Sequence, residues 1–391
     1  MPTKILIGFA DALAAPECAF SLLDAGYDVV AFARRGSKPP LRRVNGVRIV
    51  EITSPGDDAD IAVLDVIAIT NEIGAQVLMP LDDASLWLCA EASRRGTDAV
   101  IAGPTGDQAL LALDKRRQLE LALSAGFAVP ETRMADEAAM LDPPDLPLVL
   151  KGKLAIARVD GALARAPTFF CGSERELDAA LSSWPAGQPL LAQPAITGVG
   201  EGMFGIARHG TPHATSGHRR VRMMNPRGSG SSACRSRPLT DAETSAGAAF
   251  VRLSDWDGLF MIELLRDPSG KLFFMELNGR AWGSIALARR LGLEYPAWAI
   301  RAALDASFIP EQHQFNAMLC RHAGRELVHL LAVMHGPRGS RPPGWPGRWR
   351  TVRDVIRISR ADSWYNWRSG EPGFFVEDTL RTLHTQLSRP R

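Results

Sequence analysis

The sequence predicts an α/β protein that begins with a Rossmann-like parallel sheet. Over the first hundred residues, short apolar runs alternate with helix-like segments, and the runs lie at 4–9, 27–33, 76–80 and 100–102. Strands that alternate with helices at this spacing are typical of βαβ units. Further along, the apolar runs 259–264 and 272–277 flank the turn Asp267-Pro268-Ser269-Gly270, which predicts an antiparallel hairpin.

The composition is that of a folded globular protein. The chain has 391 residues, 46% of them hydrophobic and 23% charged, which excludes a disordered or fibrous chain and suggests two or three domains. The net charge of +2 gives no bulk attraction to nucleic acid or membranes. The cysteines (18, 89, 171, 234 and 320) lie far apart, and neither a signal peptide nor an 18-residue apolar stretch is found. We expect a cytoplasmic protein without structural zinc.

The turn after the first strand does not suit a dinucleotide. A Rossmann nucleotide site needs GxGxxG, whereas Gly8-Phe9-Ala10-Asp11-Ala12-Leu13 supplies one glycine. Without the second glycine the backbone cannot come close to a pyrophosphate. The pattern therefore argues against a nicotinamide-binding domain.

The later elements follow from apolar runs and from breaks at glycine and proline. The helices expected first are 60–73 and 84–94, followed by 107–125 and 285–291, and buried strands are expected at 146–151 and 190–195. Residues 336–349 hold four prolines and four glycines and resemble a linker. Residues 331–391 carry 11 arginines against 5 acidic residues, together with four of the nine tryptophans.

The predicted hairpin carries a set of hard oxygen ligands. Residues two apart on a strand face the same side, so Glu276, Asn278 and Arg280 share one face, and Glu263 can lie opposite them. Two carboxylates and an amide oxygen are typical ligands of a Mg²⁺ ion that also binds phosphate oxygens. An arginine beside them can bind a phosphoryl or carboxylate oxygen on which negative charge develops. The alternative is a surface hairpin with alternating polar residues. The apolar neighbours Phe273 and Phe274 disfavour it, because they place the polar groups near buried surface.

Two lysines stand out because only six of the 45 basic residues are lysines. Lys151 ends the apolar run LPLVLK, where its compact ammonium could lie over a polyphosphate. A solvated strand end explains the same pattern. Lys115 stands in a similar context and is no more informative alone.

The segment 216–237 is rich in arginine, glycine and serine. Its arginines, with one just upstream, are residues 208, 219, 220, 222, 227, 235 and 237. Such a segment can bind an anion through guanidinium and backbone N–H groups. An exposed basic loop and a nucleic-acid contact are the alternatives, and the lack of interleaved aromatic residues weakens the second.

The order of these segments resembles the ATP-grasp superfamily over residues 4–300, especially the branch related to carbamoyl-phosphate synthase and biotin carboxylase. The similar passages are Gly103-Pro104-Thr105, Leu113-Asp114-Lys115, Gly126–Pro130, Leu146–Lys151, Leu190–Gly198, Met275–Ser284 and Gly292–Pro296. MELNGRAWGS at 275–284 is the most specific passage. The resemblance implies a Rossmann-like domain at 1–106, a two-lobed α+β ATP-grasp domain at 107–305 divided near residue 190, and a C-terminal capping module at 306–391.

The resemblance also implies roles for individual residues. Lys115 and Lys151 would contact ATP phosphates, while Gln193, Pro194, Ala195 and Ile196 would meet the adenine and Glu201 the ribose. Glu263, Glu276 and Asn278 would bind Mg²⁺, which Mn²⁺ could replace. Arg280 would steady the γ-phosphate, with Arg220 and Arg222 on the substrate side. The sequence departs from the family at Gln193, at Gly279 and in the glycine-poor lid segment 152–158.

The implied activity is an ATP-dependent ligase that joins a small carboxylate to a small amine through an acyl phosphate. A kinase- or carboxylase-like enzyme that makes an acyl or carbamoyl phosphate is one alternative, and a catalytically weak nucleotide-binding regulatory protein is another. The resemblance is compatible with a homodimer and points to neither a membrane nor nucleic acid. In residues 331–391 we expect a cap whose tryptophans (345, 349, 364 and 367) mostly pack on the core, so that removing residues 336–391 would destabilise the protein.

Overall fold

A computed structural model describes residues 2–226, 230–312, 314–337, 339–342, 344–359 and 361–387. The described residues form three sheets and one separate hairpin. The N-terminal sheet is parallel, with strand order β3-β2-β1-β4-β5. Its strands are β1 (Lys4–Gly8), β2 (Asp28–Arg34), β3 (Val47–Ile52), β4 (Val77–Pro80) and β5 (Val100–Ile101). The expected parallel sheet is confirmed, with β3 as a strand that the sequence analysis missed.

The second sheet is antiparallel and has the order β10-β7-β11-β6, with a two-stranded hairpin, β8 and β9, beside it. The strands are β6 (Arg133–Ala135), β7 (Leu148–Gly152), β8 (Ala157–Val159), β9 (Ala162–Ala164), β10 (Thr168–Cys171) and β11 (Leu190–Pro194). β7 lies between β10 and β11, so its alternate residues Leu148 and Leu150 are fully buried. We call the hairpin of β8 and β9 the lid hairpin.

The third sheet has the order β16-β15-β12-β13-β14-β17-β18. Its strands are β12 (Val199–Arg208), β13 (Thr211–Met223), β14 (Ser231–Arg237), β15 (Gly258–Arg266), β16 (Leu272–Asn278), β17 (Leu319–Arg321) and β18 (Asp362–Trp364). β15 and β16 form the expected antiparallel hairpin. The basic segment 216–237 lies mainly in β13 and β14, so it is not the exposed loop considered above, and Arg227 lies outside the described residues.

Helices cover the sheets and connect their strands. They are α1 (Ala15–Asp24), α2 (Ala59–Ile73), α3 (Asp83–Arg94), α4 (Gly106–Leu113), α5 (Lys115–Ser124), α6 (Glu174–Ser182), α7 (Asp241–Leu253), α8 (Ile285–Arg290), α9 (Tyr295–Leu304), α10 (Ala323–His335), α11 (Arg348–Ile356) and α12 (Pro372–Leu387). The single helix expected over 107–125 is divided at Asp114. This residue is extended, and its carboxylate caps α5 by accepting from the amides of Arg116 and Arg117. No described helix is both long enough and apolar enough to span a membrane.

The C-terminal segment is joined to the rest of the chain by strand pairing and by buried charges. β18 runs parallel to β17 at the edge of the third sheet. Glu17 of α1, which is 2% exposed, accepts hydrogen bonds from Arg289, Arg290 and the amide of Asn366. The tryptophan prediction is wrong for two of the four residues. Trp345 and Trp364 are half-buried, whereas Trp349 and Trp367 are exposed.

Candidate active site

Two carboxylates face each other on the β15–β16 hairpin. Glu263 and Glu276 are directly opposite in the strand register, and Asn278 lies opposite Met261, two residues further along β16. Because alternate residues share a face, Asn278 lies on the same side as Glu276, and its Nδ2 donates to Glu276 Oε1 at 3.3 Å. The predicted ligand set Glu263, Glu276 and Asn278 is therefore brought together.

Cations surround this carboxylate pair. Lys115 Nζ lies 4.0 Å from Glu276 Oε2, and an Arg220 terminal nitrogen lies 2.7 Å from Glu263 Oε2. Burial opposes ionisation of Glu276, but Lys115 and Lys151 outweigh it and hold the Glu276 pKa below its ordinary range. Burial lowers the pKa of Lys151 to about 8, against the attraction of Glu276. Opposed like charges on a sheet are destabilising, and these cations offset that repulsion.

The two lysines come from elements that are tied together. Lys115 is the first residue of α5, and its backbone amide donates to the Lys153 carbonyl at 3.0 Å. Lys151 lies on β7, opposite Leu191 of β11 and Thr168 of β10. The segment after β7 thereby positions the beginning of α5, whose Lys115 reaches Glu276 on the third sheet.

Gly200 on β12 allows Arg220 to approach Glu263. A Cβ at position 200 would lie 2.8 Å from Arg220 Cδ, so a larger residue would displace the arginine side chain. Burial opposes ionisation of Arg220, but Glu263 outweighs it and raises the arginine pKa. Arg220 therefore lies at the carboxylate pair, and its role on the substrate side stays a prediction.

Arg222 lies away from the carboxylate pair. Its guanidinium donates to both carboxylate oxygens of Glu326 on α10 at 2.6–3.0 Å, and Glu326 also accepts from Arg321 and Ser232. The strand register shifts between Arg220 and Arg222. Arg222 joins β13 to α10, and we do not carry it into the proposed catalytic set.

Glu201 lies on the opposite face of the sheet from Glu263. Gly202 is paired with Glu263, so the adjacent Glu201 points the other way. Glu201 is 4% exposed and accepts from Arg266 at 2.9 Å, with Arg237 at 3.1 Å. A ribose contact would require this carboxylate on the other face, and we leave Glu201 out of the proposed nucleotide site.

The segment expected to meet adenine connects the second sheet to the third. Gln193 is 2% exposed and its Nε2 donates to Thr132 Oγ1 at 2.8 Å. Pro194 ends β11, and the Ala195 amide donates to the Pro147 carbonyl at 2.8 Å. Pro194, Ala195 and Ile196 are half-buried. Their role in binding adenine stays a prediction.

Arg280 is held by Asp83 at the beginning of α3. Its Nε donates to Asp83 Oδ1 at 3.0 Å and a terminal nitrogen donates to the Ala281 carbonyl at 3.1 Å. Arg165, which follows the lid hairpin, binds the other oxygen of Asp83. Sequence reasoning missed Asp83 and Arg165. The position of Asp82-Asp83 just after β4 was a usable signal, because ligands of parallel sheets bind at the carboxyl ends of the strands.

The lid hairpin is docked beside the N-terminal sheet, on the segment between β3 and α2. The Leu163 amide donates to the Pro55 carbonyl at 2.6 Å, and the Ala59 amide donates to the Gly161 carbonyl at 3.0 Å. Arg158 of β8 also binds the carboxylate of Asp60. The glycine-poor segment 152–158 therefore ends in a hairpin that is hydrogen-bonded to the region around the N-terminal sheet.

Comparisons with known proteins identify the fold. No protein-family model matches the sequence, and no curated protein matches it. Among solved structures, an L-amino acid ligase from Bacillus licheniformis superposes with a TM-score of 0.60 at 16% identity, covering 80% of this chain and 75% of that one. A biotin carboxylase from Campylobacter jejuni gives 0.62 at 15% identity, covering 82% and 75%.

A third structure is similar over most of both chains. The N5-carboxyaminoimidazole synthase from Aspergillus clavatus, in complex with ADP and 5-aminoimidazole ribonucleotide, gives a TM-score of 0.60 at 15% identity and covers 81% of each chain. These neighbours are ATP-grasp ligases. The resemblance read from the sequence is therefore confirmed for the fold, whereas the division into domains at residues 106 and 305 stays a prediction.

Proposed function

We propose that this protein is an ATP-dependent ligase that joins a carboxylate to an amine and releases ADP and phosphate. The observation that carries the proposal is the opposed pair Glu263 and Glu276, with Asn278 beside it and Lys115 and Lys151 around it. Carboxylate and amide oxygens suit Mg²⁺, and ammonium groups suit phosphate oxygens. The ADP complex of the Aspergillus clavatus synthase supports the choice of nucleotide, and the MgADP complex of a biotin carboxylase domain from Hydrogenobacter thermophilus, another similar structure, supports the metal.

The residues at the site fit the metal and the nucleotide. Glu263, Glu276 and the Asn278 amide oxygen would hold Mg²⁺, because mutually repelling carboxylates on one face favour a divalent cation between them. When it is bound, Mg²⁺ would neutralise the negative charge on the phosphate oxygens. Lys115 and Lys151 would bind the phosphates from the side of the second sheet. Mn²⁺ could occupy the same oxygen ligands.

The reaction needs orientation and charge stabilisation more than a protein nucleophile. A carboxylate oxygen of the substrate attacks the γ-phosphorus, the bond to the β–γ bridging oxygen breaks, and ADP leaves. The amine then attacks the acyl carbon, the C–O bond to phosphate breaks, phosphate leaves and the amine loses a proton. Arg280, held by Asp83, would face the γ-phosphate and the acyl phosphate, and Arg220 would lie nearby.

The test measures phosphate release from ATP by the full chain with mixtures of carboxylates and amines. The proposal expects release that needs both substrates, with one phosphate per amide formed. Release with a carboxylate or bicarbonate alone would favour the kinase- or carboxylase-like alternative. Nucleotide binding without turnover across the mixtures would favour the regulatory alternative.

A further inference from the structure

A buried glutamine connects three elements beside the proposed metal site. Gln118 lies near the beginning of α5, and only 2% of its surface is exposed. Its Nε2 donates to the carbonyls of Leu111 and Ala112 at 3.0 and 2.8 Å, and to the Leu277 carbonyl at 3.2 Å. Its Oε1 accepts from the Leu277 amide at 2.8 Å. Both polar atoms of this side chain are therefore engaged with backbone groups.

The contacts at Leu277 continue the hydrogen bonding of the third sheet. β16 lies at an edge of that sheet, so its backbone groups that face away from β15 are not paired with another strand of the described sheet. The Gln118 amide takes the place of such a strand, because it binds both the N–H and the C=O of Leu277. Leu277 lies between Glu276 and Asn278, the proposed metal ligands on β16. Gln118 therefore holds the backbone from which both ligands project.

The contacts at Leu111 and Ala112 tie the same side chain to the end of α4. These two carbonyls belong to the last turn of α4, where a helix has no amide of its own to pair with them. α4 ends here because Asp114 is extended and caps α5 instead. The break between the helices thus leaves acceptors for the Nε2 donors of Gln118.

The end of β16 lies too close to α4 for a side chain to fit between them. A Cβ at Gly279, the residue after Asn278, would lie 2.7 Å from Trp256 Cη2 and 3.0 Å from the Ala112 Cβ. Trp256 is 1% exposed, so its ring has little room to move away. Glycine at position 279 therefore lets the metal-binding end of the strand pack within reach of Gln118.

We propose that Gln118 is a positioning residue for the metal site: its amide holds the backbone of β16 between Glu276 and Asn278 and so fixes the direction of their side chains. The inference rests on the proposed function, in which these side chains and Glu263 hold Mg²⁺. Removing a group that orients metal ligands typically lowers metal affinity about 10- to 100-fold.

Lys115, on the same helix, is held independently of the Gln118 side chain. The Asp114 carboxylate caps α5, and the Lys115 amide donates to the Lys153 carbonyl at 3.0 Å. Loss of the Gln118 amide is therefore expected to weaken the metal site and to leave this lysine in place. The two effects can be measured separately, because ADP binding can be followed with and without Mg²⁺.

The test measures how much Mg²⁺ strengthens ADP binding in Gln118→Met. Methionine has about the length of glutamine but lacks its amide. In calorimetry on the full chain, the gain in ADP affinity on adding Mg²⁺ is expected to be about 10- to 100-fold smaller than in the wild type. Binding of ADP in EDTA should stay close to that of the wild type.

The outcomes separate this inference from the proposed function. A gain that is equal in the wild type and in Gln118→Met would overturn the inference and leave the ligase proposal standing. If Mg²⁺ does not strengthen ADP binding in the wild type, the proposed metal site is wrong and the inference is wrong with it.

Gln188→Met is the matched control, because Gln188 is another buried glutamine, 5% exposed, between α6 and β11. It should keep the wild-type gain in ADP affinity even if its unfolding midpoint falls. The same loss of gain in Gln188→Met and Gln118→Met would assign that loss to general destabilisation and overturn the inference.

Gln118→Asn carries the binding test if Gln118→Met does not fold. Asparagine keeps the amide group but is one methylene shorter, so it cannot span from α5 to both α4 and β16. We expect a smaller gain in ADP affinity with Mg²⁺ than in the wild type. An undiminished gain in this variant would overturn the inference.

Hydrogen exchange gives a readout that needs neither nucleotide nor metal. The Leu277 amide donates to Gln118 in the wild type, so it should exchange slowly. In Gln118→Met, or in Gln118→Asn if that variant carries the test, it should exchange at least about tenfold faster. Equal exchange of the Leu277 amide in the wild type and the variant would overturn the inference.

Discussion

Glu263 and Glu276 lie directly across from each other on β15 and β16, with Lys115 4.0 Å from the second carboxylate and Arg220 2.7 Å from the first. Two opposed carboxylates are unfavourable on a sheet unless cations lie beside them. The chain keeps both acids and surrounds them with positive charge. This is the arrangement expected where a metal and a polyphosphate bind together.

Glu276→Gln removes one proposed metal ligand and keeps the shape of the side chain. We expect ADP formation to fall by about 10²–10³-fold, because loss of one electrostatic contact to developing charge costs about 3–4 kcal/mol. The unfolding midpoint without nucleotide should not fall, since the variant also relieves the repulsion with Glu263. Glu120→Gln, in an exposed pair with Arg116, is the control. Unchanged turnover of Glu276→Gln at saturating Mg²⁺ would contradict the assignment.

If Lys151 binds the nucleotide phosphates, as we propose, nucleotide binding should depend on pH. Its pKa is about 8, so the ammonium is charged below pH 8 and loses its proton as the pH rises through 8. The affinity for ATP, measured by calorimetry from pH 7 to pH 9.5, should therefore fall above pH 8. Lys151→Ala should bind ATP weakly at every pH.

Lys151→Arg provides the matched variant for this prediction. It should restore affinity only in part, because a planar guanidinium is wider than an ammonium, and it should flatten the pH profile because arginine stays charged. Full affinity in Lys151→Arg would indicate a solvated strand end. A profile that falls equally in the wild type and in this variant would assign the titration to another group.

Asp60 helps to hold the lid hairpin against α3. Its carboxylate binds Arg158 of β8 and Arg95 at the end of α3. In Asp60→Asn we expect trypsin to cleave after Arg158 or Arg165 roughly two- to fivefold faster, the range for loss of an exposed ion pair. Glu120→Gln, which removes the partner of Arg116 on α5, is the control. Equal cleavage rates in both variants would show that the backbone contacts alone dock the hairpin.

Phe374 tests whether the C-terminal segment is part of the folded core. It is 3% exposed on α12, and its ring lies 5.6 Å from that of Phe20 on α1. Phe374→Ala should lower the free energy of unfolding by about 3–5 kcal/mol, as measured by denaturant titration. Val376→Ala, at a side chain that is 55% exposed, should change it by less than about 0.5 kcal/mol. Similar values for the two variants would show that the segment is an appendage.

Local sequence patterns were sufficient where the chemistry lies within one hairpin. Glu276 and Asn278 share a face because strand side chains alternate, and the turn after Arg266 places Glu263 opposite them. The order of apolar runs was sufficient to predict the parallel sheet. Strand β3, VRIVEI, was missed because Arg48 and Glu51 interrupt its apolar run. The single helix predicted over 107–125 is two helices in the structure. The prediction missed the boundary at Asp114, a capping residue inside an otherwise helical pattern.

The sequence by itself determined the order of the elements, the antiparallel hairpin and the shared face of its ligands. Only the tertiary structure decided which distant charges reach that face. It placed Arg220 at Glu263 and Arg222 at Glu326, turned Glu201 to the other side of the sheet, and brought Asp83 of α3 to Arg280. The physical reason is that side-chain alternation is a property of a single strand, whereas the pairing of charges far apart in sequence depends on strand register and on the packing of one sheet against another.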